Sequence, residues 1–277
     1  MKRRASSRFL ALVFALISVA TCTGLGLAQE PKSAIPTRDL PDDQLAAGLV
    51  KDHPIGLPSP PELLFVLSKE GSPKWRQLYH PVLKDHETDR IKTALRLGLS
   101  IAEGHLATMA RDAQKIRDVT NDLQQYAKVL GISDGLAENA RSINSLAEAK
   151  AWSSIAFELE ALAAQASSIL EAQRDGELAS LITTGLWIRI LQVSTSVVTE
   201  EDFEDTTLAI SNHATLEKLV SPHQETKSPT IQSIRDQLAK IQRLWSPQKL
   251  ESGRKFDNAL IKDSNGRLNN IVNQFTR

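Results

Sequence analysis

Three residues in apolar surroundings, His105, Trp187 and Arg189, carry side chains that could bind a ligand. Arg189 is the one charge within an apolar run, and a buried guanidinium needs a partner. That partner is either an anionic ligand beside Trp187 or an acid of the chain itself. His105 lies beside the apolar seam of a predicted helix. It is either a ligand or proton-transfer group, or a boundary histidine that hydrogen-bonds a neighbouring helix.

Catalytic and metal-binding motifs are missing from the sequence. No HExxH occurs, and no Asp or Glu precedes a histidine by three positions as in di-iron bundles. The nucleophile elbow GxSxG and the phosphate loop GxxxxGK[ST] do not occur either. We therefore predict no catalytic residue, no metal ligand and no cofactor, and we expect a protein that is not an enzyme. An enzyme that uses His105 and Arg189 is the remaining alternative.

Residues 1–28 have the three parts of an export signal. Four basic residues precede an apolar run over residues 9–20, which is shorter than the roughly 20 residues that span a bilayer. Gly26 and Ala28 stand at positions −3 and −1 of a cleavage site, so cleavage is expected before Gln29. The sequence thus predicts a periplasmic or secreted protein, with an uncleaved anchor as the alternative.

Cys22 is the only cysteine, and Val19-Ala20-Thr21-Cys22 is a degenerate form of the bacterial lipobox. If Cys22 is lipidated, the protein is anchored at the membrane. If cleavage falls before Gln29, the mature chain has no cysteine and can form no disulfide. That mature chain carries 29 basic and 33 acidic residues, which argues against a nucleic-acid partner. Membrane association is expected only through an uncleaved signal or lipidated Cys22.

Residues 29–62 contain seven prolines, which predicts an extended arm or linker because proline lacks the amide donor that helices and sheets need. Two short helices are expected near residues 62–68 and 73–80, the second as a flap that covers a bundle. Residues 63–277 are predicted to form a helical bundle domain, with a possible C-terminal helical hairpin over 228–277.

Helical periodicity dominates the rest of the chain. A single helix is predicted over 88–130, a second over 145–174 from a capping box at Ser145, and a third, apolar on nearly every side and therefore central, over 177–198. Three more are expected over 200–220, 229–245 and 248–275. The fold class is thus an all-α, antiparallel bundle of about five to six helices behind a Pro-rich arm. The first helix carries a heptad seam in which ten of eleven positions are apolar: Leu95, Leu99, Ala102, Leu106, Met109, Ala113, Ile116, Thr120, Leu123, Ala127 and Leu130.

These features together predict an exported, non-enzymatic bundle that binds a protein partner or has a structural role in the cell envelope. The alternative is a small-ligand-binding or sensory bundle. Its polar pocket would lie between the first and third long helices, around His105, Trp187 and Arg189.

Overall fold

A computed structural model describes residues 59–81, 87–200, 213–245 and 258–276, and all regular structure in these ranges is helical. The predicted all-α bundle is confirmed. The predicted signal segment, Cys22 and the arm as far as residue 58 lie outside the described residues. The α-helices are α1 (Pro60–Glu70), α2 (Arg90–Met109), α3 (Ala113–Leu130), α4 (Ser133–Glu148), α5 (Trp152–Ala172), α6 (Gly176–Glu200), α7 (His213–Val220), α8 (Pro229–Leu244) and α9 (Asn258–Thr276), with 3-10 turns at Trp75–Leu78 and Ser221–His223.

The ends of α1 and α8 follow the capping signals in their sequences. Ser59 and Glu62 form a capping box at the start of α1. Ser228 accepts a hydrogen bond from the Ile231 amide, and Pro229 occupies the first turn of α8. The helices predicted over 177–198 and 229–245 are confirmed as α6 and α8. The predicted short helix over 73–80 is instead a single 3-10 turn.

The single helix predicted over 88–130 is wrong, because the chain reverses between α2 and α3. At this joint the Asp112 amide donates to the Ala107 carbonyl at 2.9 Å and the Arg111 amide donates to the Thr108 carbonyl at 3.0 Å. Arg111 has a φ of 50°, in the left-handed region. This is the Schellman arrangement that ends a helix. Asp112 then caps α3 by accepting from the Lys115 amide.

The same joint recurs at each of the next three helix ends. The left-handed positions there are Gly131, Lys150 and Arg174. Each following amide donates to a carbonyl five residues back, at 2.9, 2.9 and 2.8 Å respectively. Because Lys150 ends α4, Ser145 lies in the last turn of α4 and caps nothing, so the helix start predicted at Ser145 is wrong. The five helices α2 to α6 are therefore linked by four joints of one geometry.

Contacts at the helix ends give the directions of the helices. The Arg90 side chain, at the start of α2, reaches the Leu130 carbonyl at the end of α3 and the Asp175 carboxylate just before α6. Hence α3 runs antiparallel to α2, whereas α6 runs parallel to it.

The core is built around α2 and α6, which cross in backbone contact. A Cβ added at Gly98 would lie 2.0 Å from the Ile182 carbonyl oxygen, and one added at Gly185 would lie 2.2 Å from the Leu95 carbonyl oxygen. The other helices cover this central pair, with α1 packing on both and α9 lying along α6. Sixteen of the twenty residues of α2 are buried, so α2 is as central as the predicted central helix α6.

Candidate functional site

The three predicted site residues are all buried, but the structure does not bring them to one pocket. Trp187 is 2% exposed in the core. Arg189 meets Glu103 of α2, whereas His105, two residues further along α2, faces Glu160 of α5. Two residues apart on a helix correspond to about 200° of rotation, so Glu103 and His105 point to opposite sides.

Arg189 forms a buried ion pair with Glu103. The two side chains are 5% and 4% exposed, and Nε of Arg189 donates to Oε1 of Glu103 at 2.7 Å. Lys115 of α3 adds a second cation, its Nζ 3.5 Å from Oε2 of Glu103. The guanidinium also donates to Oε1 of Gln192 at 2.6 Å. The acid needed by Arg189 is thus supplied by the chain itself.

The remaining hydrogen bonds of this pair go to the backbone of residues 71–81, here called the strap. Arg189 Nη2 donates to the Leu78 carbonyl. The His80 amide donates to both carboxylate oxygens of Glu103, at 3.2 and 3.1 Å. The predicted flap is therefore present as the strap, whose backbone is hydrogen-bonded to the buried ion pair.

Side chains of the strap add further contacts with the bundle. Trp75 is 7% exposed, and Arg76 lies 3.3 Å from the Asp112 carboxylate. Lys115 Nζ lies 5.1 Å from the centre of the Tyr79 ring, within cation–π range. Burial lowers the pKa of His80, and the nearby charge of Arg189 lowers it further. His80 is consequently uncharged near neutral pH.

A polar seam extends from Arg189 along α6 to α9. Gln192 donates to the Asn269 side chain. The side-chain Nδ2 of Asn265 donates to the Gln192 carbonyl at 2.8 Å and to the hydroxyls of Thr195 and Ser196 at 2.9 and 3.0 Å. These bonds satisfy the polar groups of a mostly apolar helix and fix the register of α9 on α6.

His105 is 1% exposed, and its Nε2 lies 3.1 Å from Oε1 of Glu160. Neither ring nitrogen of His105 has a hydrogen-bond partner among the described residues. His105 therefore lies beside a neighbouring helix, α5, but without the hydrogen bond that was expected of a boundary histidine.

An apolar groove opens at the surface between α3, α4 and α5. Its volume is about 200 Å³. It lies beside the joint at Gly131 and shares no residue with the ion pair. Leu123, Gln124, Ala127, Ser133, Asp134, Leu136, Ala137, Ala140 and Leu162 line it. This groove could not be predicted from the sequence, because it depends on the joint between α3 and α4.

Within the described ranges, no three residues among histidines, cysteines, aspartates and glutamates are grouped as metal ligands would be. One described segment, Gly176–Val198 of α6, is long and apolar enough to cross a membrane, with a mean hydropathy of 1.4. Its most apolar window is 89% buried inside the bundle, as expected for a core helix.

No protein family model, curated protein or solved structure matches this chain.

Proposed function

We propose that this protein is an exported, non-enzymatic interaction protein, which binds a protein partner through the groove between α3, α4 and α5. The observation that carries the proposal is the groove itself, an apolar opening of about 200 Å³ at the surface. Cofactor and drug-sized ligand sites occupy about 300–1,000 Å³. The smaller volume suits one or two apolar side chains of a partner, the kind of anchor that dominates protein interfaces.

The internal pairing of Arg189 supports this proposal over the small-ligand alternative. The guanidinium is bound to Glu103, Gln192 and the strap, so an anionic ligand would have to displace three partners. His105 is on the other side of α2 and cannot act on the same ligand. A pocket around His105, Trp187 and Arg189 is therefore not part of the proposed function.

Export is supported by the signal-like segment over residues 1–28. Signal cleavage would leave Gln29 as the mature N-terminus, in the periplasm or outside the cell, whereas lipidation would leave modified Cys22 and a membrane anchor. Mass spectrometry of the N-terminal peptide from the native host distinguishes the two. An intact residue 1 on the protein in a cytoplasmic fraction would contradict export.

Partner binding is tested by placing a photo-cross-linking amino acid at Gln124, which is exposed at the groove. The control position is Lys240, which is exposed on α8. We expect a discrete cross-linked adduct from position 124 in the native host and none from position 240. Equal adducts at both positions, or none at either, would count against the groove.

A second variant fills the groove without opening the core. Ala137 is exposed and lines the groove, so Ala137→Phe places a ring in it. This change should lower the adduct at position 124 by about tenfold or more, the effect of losing one anchoring contact. Glu138→Phe, an exposed neighbour that does not line the groove, should change the adduct by less than about twofold.

A further inference from the structure

The strap presents its main chain, and not its side chains, to the buried ion pair. The two groups bound are the carbonyl of Leu78 and the amide of His80, on either side of Tyr79. Tyr79 has φ −60° and ψ 138°, the extended polyproline region. In an extended segment the preceding carbonyl and the following amide point to the same side. Arg189 and Glu103 therefore recognise one edge of an extended peptide.

The sequence around Tyr79 favours this conformation. Pro81 disfavours helix at His80, because a residue before proline is restricted to extended backbone. Tyr79 is held beneath Lys115, and Trp75 is buried at the other end of the strap. Main-chain hydrogen bonds combined with a few side-chain anchors are a recurring mode of peptide recognition.

Among the side chains of residues 71–81, that of Trp75 alone is buried, and the pair of Arg76 with Asp112 lies near the surface. The regular structure of the strap is one 3-10 turn of four residues, and Lys74, Arg76 and Gln77 are exposed. Segments with few buried apolar contacts open at the low end of the free-energy range for local unfolding. Arg189, Lys115 and Glu103 lie on α6, α3 and α2, so opening of the strap would expose a donor and acceptor set that these helices carry.

We propose that the Glu103–Arg189 pair is a binding site for an extended, proline-containing peptide segment of a partner protein, and that the strap fills this site as an intramolecular stand-in. The partner's carbonyl takes the place of that of Leu78 on Arg189, and its amide two residues later takes the place of that of His80 on Glu103. The site shares no residue with the groove between α3, α4 and α5. The Glu103–Arg189 pair can therefore bind a peptide whether or not the groove binds a partner.

The test uses residues 29–277 and a fluorescent peptide with the sequence of residues 72–81. Trp75→Ala loosens the strap and leaves Glu103 and Arg189 intact. We expect this variant to bind the peptide at least about tenfold more tightly than the unmodified protein, since the competing strap is weakened. Methylation of the peptide nitrogen that corresponds to His80 should abolish binding, because it removes the hydrogen bond to Glu103.

A further variant removes both members of the Glu103–Arg189 pair, so that neither is left as an unpaired charge. In the Trp75→Ala background, Glu103→Gln with Arg189→Met should lower affinity by about tenfold or more. Equal binding of the methylated and unmethylated peptides would overturn the proposal, as would equal binding with and without the ion pair. If Trp75→Ala fails to fold, the proposal is tested on the unmodified protein by amide hydrogen exchange, measured with and without the peptide. Excess peptide must then speed exchange of the strap amides, and unchanged exchange refutes the proposal.

Discussion

Two buried arginines, Arg189 and Arg96, each bond a group that lies far away in the chain. The need of Arg189 for a partner follows from its apolar surroundings, but Glu103 lies 86 residues away. Arg96 is a second case, 1% exposed, with Nε donating to the Phe275 carbonyl at 2.6 Å. The sequence signal for both was an ionisable residue inside an apolar helix. Which residue faces each arginine depends on how α2 packs. The packing of α2 could not be predicted because the sequence does not reveal the joint at Arg111.

The ion pair gives a prediction about stability. Arg189→Met leaves Glu103 buried beside Lys115 alone and should lower the free energy of unfolding by about 3–5 kcal/mol. Adding Glu103→Gln to Arg189→Met should recover part of the lost stability, because the amide side chain then present at position 103 carries no charge. Urea unfolding of the two variants measures both effects. Arg141→Met, at an exposed arginine of α4, should change stability by less than about 0.5 kcal/mol. Equal losses from Arg189→Met and Arg141→Met would contradict the buried role.

His223 gives a prediction about pH. Its side chain is fully buried, with Nε2 3.0 Å from the Thr184 hydroxyl. Burial lowers the pKa of His223 below its ordinary value, although the charge of Glu177 opposes this. Below the ordinary histidine pKa of about 6.5 the unfolded chain therefore takes up a proton that the folded protein does not. Stability should fall as the pH drops from about 7.5 to about 5.5, with a slope of at most about 1.4 kcal/mol per pH unit from this residue.

The control for this pH effect is His223→Gln, which can still hydrogen-bond Thr184 but does not titrate. Its unfolding free energy should depend less on pH over the same range than that of the unmodified protein. His80, whose pKa is also lowered, remains and accounts for a residual slope. Identical pH profiles for the two proteins would show that His223 is not responsible.

Among the helices, some ends could be predicted from caps in the sequence, although the capping box at Ser145 was misleading. Ser228-Pro229 marks the start of α8, and Asp175-Gly176 marks the break between α5 and α6. Arg111 and Lys150 end helices in the left-handed conformation without glycine or proline, and nothing in their residue type indicates a joint. The apolar spacing of α2 also continues in register into α3, so the two helices read as one heptad seam.

The crossing of α2 and α6 gives a prediction about how two helices pack. Gly98→Ala places a methyl group 2.0 Å from the Ile182 carbonyl oxygen and 2.7 Å from the Leu186 nitrogen. Both are backbone atoms, so relief requires the helices to move apart, and we expect a loss of about 3 kcal/mol or more. Gly266→Ala is the matched control, because it is a glycine of α9 with open space around it. It should gain about 0.5–1 kcal/mol through higher helix propensity. Similar thermal unfolding of the two variants would refute the close crossing.

In the molecule as a whole, α6 is buried only because other helices cover each of its sides. Its composition would allow it to span a membrane, and its polar seam faces α9 and the strap. The sequence predicted this central position from the apolar pattern alone. It did not predict that the equally central α2 would bury polar residues such as Glu103, because the groups that bind Glu103 lie on α3, α6 and the strap, far from it in sequence.

The covering of α6 by α9 gives the last prediction. Ile271 of α9 is fully buried, and Ile271→Asp places a charge among the side chains that α9 buries against the bundle. We expect α9 to detach while α2 to α6 retain their joints, so that the apolar surface of α6 becomes accessible. The variant should then bind the dye ANS and float with phosphatidylcholine vesicles, whereas the unmodified protein should do neither. Lys262→Asp, at an exposed position of the same helix, should behave like the unmodified protein. An Ile271→Asp variant that keeps its helical circular dichroism but neither binds ANS nor floats would show that α9 is not the cover that keeps α6 inside the bundle.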